Sequence, residues 1–256
     1  MSQTTKSSSR GGFNFKGLII IALVAVIYQI YISEFVDEDE LSFADFSYGL
    51  GGLTVGITGL FVAKRYKGSP VFGKTYLALS IGFILLFVGD LIYNFYLYVL
   101  EEDPYPSIAD VVWLSFYFFT GYHLVKNIQY FKKNLGWGAK IGVPVLASII
   151  VVGFAIFTLE TFYDDPVVYF TSESYVIASA GILSLAILGA TVFKNSILGI
   201  AWFMLVCGIF LYTFADIWYY YLEEIGEYDI THVVNTLWLL SNSFMVYSLY
   251  KHKKTI

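Results

Sequence analysis

The chain has 256 residues, of which 57% are hydrophobic and only 14% are charged, and its mean hydropathy is +0.68. A soluble domain carries about a quarter charged residues, so this composition excludes a soluble globular enzyme, a disordered chain and a nucleic-acid-binding protein. The net charge of −5 gives no general attraction to phosphate backbones, and one cysteine, Cys207, excludes a disulfide framework and a Cys-rich metal site. The composition therefore predicts a polytopic membrane protein, and we expect no cofactor.

Long apolar segments follow one another along the whole chain. A membrane-spanning helix needs about 20 mostly apolar residues, and the sequence offers eight such segments. All are predicted as helices, because backbone that faces lipid must satisfy its own hydrogen bonds. We expect an all-α fold, an integral membrane bundle of eight transmembrane helices. The predicted spans are 17–33, 44–63, 75–99, 108–125, 141–159, 171–193, 197–221 and 231–250.

Basic and acidic residues fall at opposite ends of these spans, and the positive-inside rule makes the basic end cytoplasmic. We therefore expect a multi-pass protein of the cell membrane with both termini inside. The acidic run 37–40 follows the first span, which lacks a small-residue cleavage site, so that span is not read as a signal peptide. The basic residues are Lys6, Arg10, Lys16, Lys64, Arg65, Lys67, Lys74, Lys126, Lys132, Lys133, Lys140, Lys194, Lys251, Lys253 and Lys254.

Acidic residues outside the spans lie in the predicted outer loops, and the acids inside the spans lie in or towards their outer halves. Topology and solvated loops explain most of this pattern, and an acidic vestibule that concentrates cations is the alternative. Asp45, Asp90, Asp110, Glu173 and Asp216 are the acids within the spans.

The two halves of the chain resemble each other at an offset of 125 to 127 residues. Asp90 aligns with Asp216, and Trp113 aligns with Trp238. Because each half has an even number of spans, the halves should have the same orientation and be related by an axis along the membrane normal. The predicted domains are a cytoplasmic tail over 1–16, a first four-helix repeat over 17–133, and a second four-helix repeat with a short cytoplasmic tail over 134–256. We expect no soluble output domain.

Asp90 is the sharpest candidate for a functional residue, because it lies well inside a long span, where an ionised carboxylate is costly and needs partners. Asp216 repeats the arrangement, and hydrogen-bonding side chains follow each acid on the same helix face. One hypothesis is a carboxyl that ties helices together, and the other is a proton relay, a cation ligand or a catalytic acid. The candidate ligand-binding residues are Asp90, Tyr93, Asn94, Asp110, Trp113, Asp216, Tyr219, Tyr220, Asn235 and Trp238.

Asp110 has a competing structural role, since Ser107 is a plausible N-cap and an acid three residues later forms a capping-box variant. We favour that role over ligand binding. The matching stripe in the second half has Asn235 and Trp238 without an acid, so one pocket should be more acidic than the other.

Several chemistries lack candidates in this sequence. No histidine pair has metal-ligand spacing, so we expect no metal site. Gly-x-Ser-x-Gly and phosphate-loop motifs are absent, and no lysine lies mid-span. The aromatic residues near the outer span ends are interpreted mainly as an interfacial belt, with a cation–π cage beside the acids as the alternative.

The stretches VGDLIY, YPSIADVVWLSFY and FADIWYYYL, with NTLWLL further on, resemble the multipass membrane sensor regions of some bacterial diguanylate cyclases and histidine kinases. Those regions read Gly-Asp in one helix, then Pro-Ser-x-Ala-Asp-x-x-Tyr-Leu opening the next, then a second Asp helix. The resemblance covers 85–126 and 209–251, departs at Trp113 where the pattern often has Tyr, and implies a sensor role without the cytoplasmic enzyme domain.

A weaker resemblance is to the lysoplasmalogenase family, eight-helix membrane enzymes with a Gly-Asp in an early helix and another intramembrane Asp late. It implies Asp90 and Asp216 as a catalytic pair. That family usually has a mid-span histidine in its fourth helix, and His123 lies instead at the inner end.

Three functions compete on these grounds. The leading hypothesis is a sensor-like, ligand-binding bundle without catalysis, which binds a small molecule, cation or lipid and acts through a membrane or cytoplasmic signalling partner. An intramembrane lipid hydrolase is the first alternative. A proton- or cation-coupled transporter is the second, although the nearly apolar inner halves of spans three and seven count against a transport path.

Overall fold

The computed structural model describes residues 15–36, 42–102, 104–132 and 135–255. The described residues do not include positions 1–14 of the predicted tail over 1–16, the acidic run 37–40 or Asp103. Every long regular element in the described ranges is a helix, which confirms the predicted all-α class.

Eight long helices and one short helix make up the described parts of the chain. Seven of the long helices are long and apolar enough to cross a membrane, so the chain is a multi-pass membrane protein. The eighth, α9, carries several Asn, Ser and Lys residues and is less apolar. The helices are α1 (Phe15–Phe35), α2 (Ala44–Arg65), α3 (Phe72–Phe95), α4 (Ile108–Phe131), α5 (Trp137–Phe157), the short α6 (Leu159–Asp164), α7 (Pro166–Phe193), α8 (Gly199–Ile225) and α9 (Val233–Thr255).

Local chemistry sets several helix boundaries. The Ser107 side chain accepts from the Ala109 backbone N–H and begins α4. Asp165 accepts from two backbone N–H groups at the start of α7, where Pro166 occupies the first turn and has no N–H that would need an acceptor. Gly226, with φ of 66°, ends α8 in the left-handed conformation that glycine adopts without strain.

Six of the long helices form a closed ring. In order around the ring, each helix packs against the next: α2, α3, α4, α7, α8, α9, and back to α2. The other two long helices lie outside it, with α1 against α9 and α5 against α7. This arrangement leaves an interior between the six ring helices, and large side chains fill much of it.

An apolar layer divides that interior. Phe83 and Phe116 are fully buried with ring centroids 4.9 Å apart, and Ile209 and Met245 are buried beside them in the same core. Phe83 precedes Asp90 by two helical turns, about 10 Å along the helix axis. The layer therefore separates the two ends of the bundle, which we call the acidic end and the basic end after the charges of their loops.

Aromatic and imidazole rings fill the basic end. The Tyr76 ring centroid lies 4.6 Å from that of His123 and 4.7 Å from that of His252, and both histidines are buried. His123 also stacks on Trp202. These contacts place the two histidines in a packed core on the far side of the apolar layer from Asp90.

The acidic ends of α3 and α8 finish differently. α3 continues into a π-helical turn, Tyr96–Leu100, and the next residue, Glu101, has φ of 54°. Gly226 holds the equivalent position after α8, also at positive φ. A side chain in the left-handed region costs roughly 1 kcal/mol that glycine avoids.

We therefore expect Glu101→Gly to raise the thermal unfolding midpoint of the protein in detergent micelles, and Gly226→Ala to lower it, each by roughly 1 kcal/mol in unfolding free energy. The exposed substitution Glu102→Gly, next to the strained position, is the control and should stabilise nothing. Equal effects of the two Glu→Gly changes would contradict a special role for the Glu101 backbone.

Candidate functional site

A cavity of about 310 Å³ lies inside the ring at its acidic end. All six ring helices contribute to it, and so does the segment 228–230, which follows α8. Among the described residues, the charged side chains that line it are all aspartates. The polar and aromatic lining is Asp45, Asp90, Tyr93, Asn94, Tyr98, Trp113, Tyr117, Tyr175, Tyr212, Asp216, Tyr219, Tyr220, Tyr228, Asp229, Trp238 and Asn242.

Two matching indole–carboxyl pairs stand in the cavity wall. Trp113 Nε1 donates to Asp90 Oδ1 at 2.9 Å, and Trp238 Nε1 donates to Asp216 Oδ1 at 3.0 Å. Each bond joins two neighbouring ring helices, α4 to α3 and α9 to α8. The four residues whose alignment defined the sequence repeat therefore make the same contact twice.

Asp216 is fully engaged with the protein. In addition to the indole, Tyr117 donates its hydroxyl to Asp216 Oδ2 at 2.7 Å. Ser179 Oγ of α7 donates to the same oxygen. Thr213, which lies on α8 with Asp216, donates to the Ser179 backbone carbonyl. Both carboxyl oxygens thus have donors, and they tie α8 to α4, α7 and α9.

Asp90 is equally buried but much less engaged. Only 8% of the residue is exposed, and within the described residues its Oδ2 accepts no hydrogen bond. That oxygen lies against Gly49 of α2, so closely that a Cβ at position 49 would lie 2.2 Å from it. A glycine here makes room for the carboxyl without supplying a side-chain donor.

The aligned positions of the two halves show which side chains differ around the two carboxyls. At the offsets of the aligned halves, Ser179 corresponds to Gly52 and Tyr117 corresponds to Asn242. Gly52 and Asn242 both line the cavity. At the Asp90 site, Gly52 therefore takes the place that Ser179 has at the Asp216 site, and Asn242, from the second half, takes the place of Tyr117, which leaves space beside the Asp90 carboxyl.

The rim of the cavity on α2 and α3 is held by Asp45. Tyr98, on the π-helical turn, donates its hydroxyl to Asp45 Oδ1 at 2.7 Å, and Ser42 donates to Oδ2 from its backbone N–H at 2.7 Å. Asn94 Nδ2 donates to the Asp45 backbone carbonyl at 3.0 Å. Asp45 is thus an engaged carboxylate near the start of α2.

The opposite rim is the segment between α8 and α9. Tyr228 donates its hydroxyl to Asn235 Oδ1 at 3.2 Å, and Asn235 Nδ2 donates to the Ile230 carbonyl at 2.7 Å. Burial raises the pKa of the Tyr228 hydroxyl well above its usual range, so the group remains a neutral donor. Asp229 Oδ1 accepts from the Thr231 backbone N–H at 2.7 Å.

Eight of the ten predicted ligand-binding residues line this cavity. The other two, Asp110 and Asn235, lie outside its lining. Asp110 Oδ2 accepts from the Ser107 backbone N–H at 2.6 Å in the predicted capping box, and Oδ1 accepts from the Tyr175 hydroxyl at 2.8 Å. Asn235 is fully buried and holds the 228–230 segment.

Several cavity residues were not predicted. Helix spacing from the two acids and from Trp113 could have found Tyr212 and Tyr117, which lie one turn away on the same faces. Asp45 was noted only as an acid within a span, and no local signal places Asp45, Tyr98 or Tyr175 at the cavity, because their approach to it depends on how α2, α7 and the π-helical turn pack. Four of the aromatic residues near the outer span ends, Tyr93, Tyr98, Tyr219 and Tyr220, line the cavity.

Comparisons of the chain with protein-family models, with curated proteins and with solved structures found no match in any of the three.

The difference between the two carboxyls predicts a difference in stability. Asp216→Leu removes the acceptor of three donors, whereas Asp90→Leu removes the acceptor of one. Each orphaned buried donor costs about 1 kcal/mol, and Ser179 and Tyr117 can still bond to each other. We therefore expect Asp216→Leu to lower unfolding free energy by about 1 to 2 kcal/mol more than Asp90→Leu.

Thermal unfolding of the two purified variants in one detergent measures this difference, and each variant is the matched control of the other. Equal destabilisation would mean that the two carboxyls contribute equally to the stability of the bundle, contrary to this prediction.

Proposed function

We propose that this chain is a sensor-like, ligand-binding membrane bundle that binds a small molecule in its cavity and acts through a partner protein. One observation carries the proposal: the cavity contains the deeply buried carboxyl of Asp90, whose Oδ2 accepts no hydrogen bond from the described residues, while both oxygens of Asp216 accept from protein donors. A carboxyl kept only to tie helices together would be satisfied on both oxygens, as Asp216 is.

The hydrolase alternative fits this geometry less well. A catalytic pair of the lysoplasmalogenase type would need both Asp90 and Asp216 to exchange protons or bind a reacting group. Asp216 already accepts from Trp238, Tyr117 and Ser179. Its lone pairs are committed to protein donors, which favours a structural role for Asp216 and a binding role for Asp90.

Transport is also less favoured. The buried layer around Phe83 and Phe116 lies between the cavity and the basic end. A coupled transporter needs a polar route through that layer, and the side chains that fill it are apolar. Access from one side suits a receptor for a ligand.

A connection from the cavity rim to an outer helix supports action through a partner. Gln29 of α1 donates to the Thr231 carbonyl at 3.1 Å and accepts from the Thr236 hydroxyl at 2.6 Å. Ile230, which lines the cavity, packs on the cluster of Tyr28 and Ile32. A ligand that moves the rim would therefore move α1, whose outer surface is exposed along most of its length.

The proposal includes eight spans arranged as two parallel four-helix repeats. Exchanging α2 for α7, α3 for α8 and α4 for α9 leaves the order of neighbours around the ring unchanged. The matching indole–carboxyl bonds and the matching positive-φ helix ends, Glu101 and Gly226, support the same symmetry.

A cavity-filling variant tests ligand binding directly. Gly52 lines the cavity, and a Cβ there would meet only ordinary contacts, the nearest at 3.6 Å, so Gly52→Leu should fold while occupying the space. Gly153→Leu, on α5 and away from the cavity, is the matched control. Native mass spectrometry of protein extracted in lipid nanodiscs should find a small molecule retained by the wild type and by Gly153→Leu, and lost from Gly52→Leu. Retention by all three would place the ligand elsewhere and defeat the proposal.

The orientation is tested by labelling. In a Cys207→Ala background, we expect cysteines placed at 103 and 164 to react with a membrane-impermeant maleimide on intact cells, because the positive-inside rule puts the acidic end outside. Cysteines at Tyr130 and Lys253 should react only after permeabilisation. Reaction of either of the last two on intact cells would reverse the topology and place the cavity mouth in the cytoplasm.

A further inference from the structure

The proposed cavity contains carboxylates and aromatic rings but, among the described residues that line it, no Lys, Arg or His. Four aspartates contribute to the lining: Asp45, Asp90, Asp216 and Asp229. A low-dielectric pocket with acidic walls repels anions and stabilises cations, because Coulomb interactions are less screened there than in water. The negative electrostatic potential expected inside the cavity therefore limits the ligand to a cationic or neutral molecule.

The hydrogen bonds of the four aspartates indicate which of them can bind a ligand. Asp45 accepts from Tyr98 and Ser42, and Asp216 accepts from three side chains. Asp229 lies at the partly exposed rim and accepts from Thr231. Asp90 is the deeply buried carboxyl with an oxygen that accepts nothing from the described residues, and what it lacks is an N–H or O–H donor.

Aromatic rings stand on two sides of this space. Tyr93 packs against Trp113 with ring centroids 5.3 Å apart, and Tyr219 packs against Trp238 at 5.2 Å. Tyr212 lines the same cavity as Asp90 and Asp216. Ring faces attract cations, more strongly when the site is desolvated, and they also cover the apolar part of a ligand.

A metal ion is a poor match for this lining. The described residues contain no group of three or more His, Cys, Asp or Glu side chains placed to hold one ion. Half of the residues that line the cavity are aromatic, and a hydrated metal ion would gain little from them. An ammonium group carried on an apolar body uses the carboxyl, the ring faces and the volume together.

Resting on the proposed ligand-binding function, we propose that the cavity binds a small primary amine in its ammonium form, with one N–H donated to Asp90 Oδ2 and the apolar part of the molecule between the Tyr93–Trp113 and Tyr219–Trp238 pairs. Gly49 makes room for the Asp90 carboxyl itself, and Gly52 lines the space for the head group on the α2 side. Asp216, held by its protein donors, shapes the far wall and adds negative charge. A volume of about 310 Å³ is at the small end of ligand pockets, which limits the ligand to a compact molecule.

Three probes of similar shape and different charge test the ligand class: 2-phenylethylammonium, the neutral 2-phenylethanol and the anion phenylacetate. At neutral pH the amine is charged, since primary amines titrate near about 10. Calorimetric titration of the protein in nanodiscs should show the ammonium bound more than about tenfold tighter than the alcohol, because a charge-assisted hydrogen bond is worth at least that factor. Phenylacetate should not bind.

Two variants then locate the contact. Asp90→Asn keeps the shape and the indole bond but removes the charge, and it should weaken 2-phenylethylammonium by about 10- to 100-fold while leaving 2-phenylethanol unchanged. Glu173→Gln removes a charge from a buried acid of α7 that does not line the cavity, and it should change neither affinity.

The outcomes separate this inference from the proposed function. No binding of 2-phenylethylammonium at millimolar concentration, or equal binding of amine and alcohol, overturns the ammonium proposal. An amine affinity that Asp90→Asn does not lower overturns it as well. A molecule lost from Gly52→Leu would then still support a ligand cavity, but one of neutral or other chemistry. Retention of that molecule by Gly52→Leu removes the cavity itself as the site.

Discussion

A carboxyl group inside a membrane bundle must find hydrogen-bond donors, and in this protein the donors come from neighbouring helices. Asp216 draws on α4, α7 and α9, so a single carboxyl joins four helices of the ring. In a low-dielectric interior, leaving such a group unsatisfied is expensive, and satisfying it fixes the relative positions of the helices that supply the donors. The arrangement of the ring at its acidic end depends on this requirement.

The first half of the chain meets the same requirement only in part. Trp113 bonds Asp90 as Trp238 bonds Asp216, but the positions aligned with Ser179 and Tyr117, which complete the Asp216 site, are Gly52 and Asn242 at the Asp90 site. Asp216 therefore joins four ring helices, whereas Asp90 joins two. Under the proposed function, Asp90 is the carboxyl that remains for the ligand.

The sequence predicted most of the fold because hydropathy and charge act over single helices. Apolar length located the long helices, and the Ser107–Asp110 spacing predicted the cap of α4. Asp90, Asp216 and both tryptophans were found because the two pairs recur at nearly the same offset, 126 and 125 residues. Asp45 and Tyr98 were missed because their contact forms only when α2 packs beside the π-helical turn, which no local pattern specifies. The inequality of the two acids was also missed, since it depends on residues of α2, α4, α7 and α9 that approach from elsewhere in the chain.

The aspartates and the buried histidines lie at different depths, at opposite ends of the bundle. The aspartates line an interior that reaches the acidic rim, where Asp229 and Tyr98 are partly exposed. The histidines lie beyond the layer of Phe83 and Phe116, packed against Tyr76 rather than against a carboxyl. Because that layer consists of large apolar side chains, its residues offer no side-chain hydrogen bonds between the cavity and the basic end. Under the proposed function, the rim segment 228–230 transmits occupancy of the cavity to α1, because Asn235 holds this segment and Gln29 of α1 bonds to the adjacent Thr231 carbonyl.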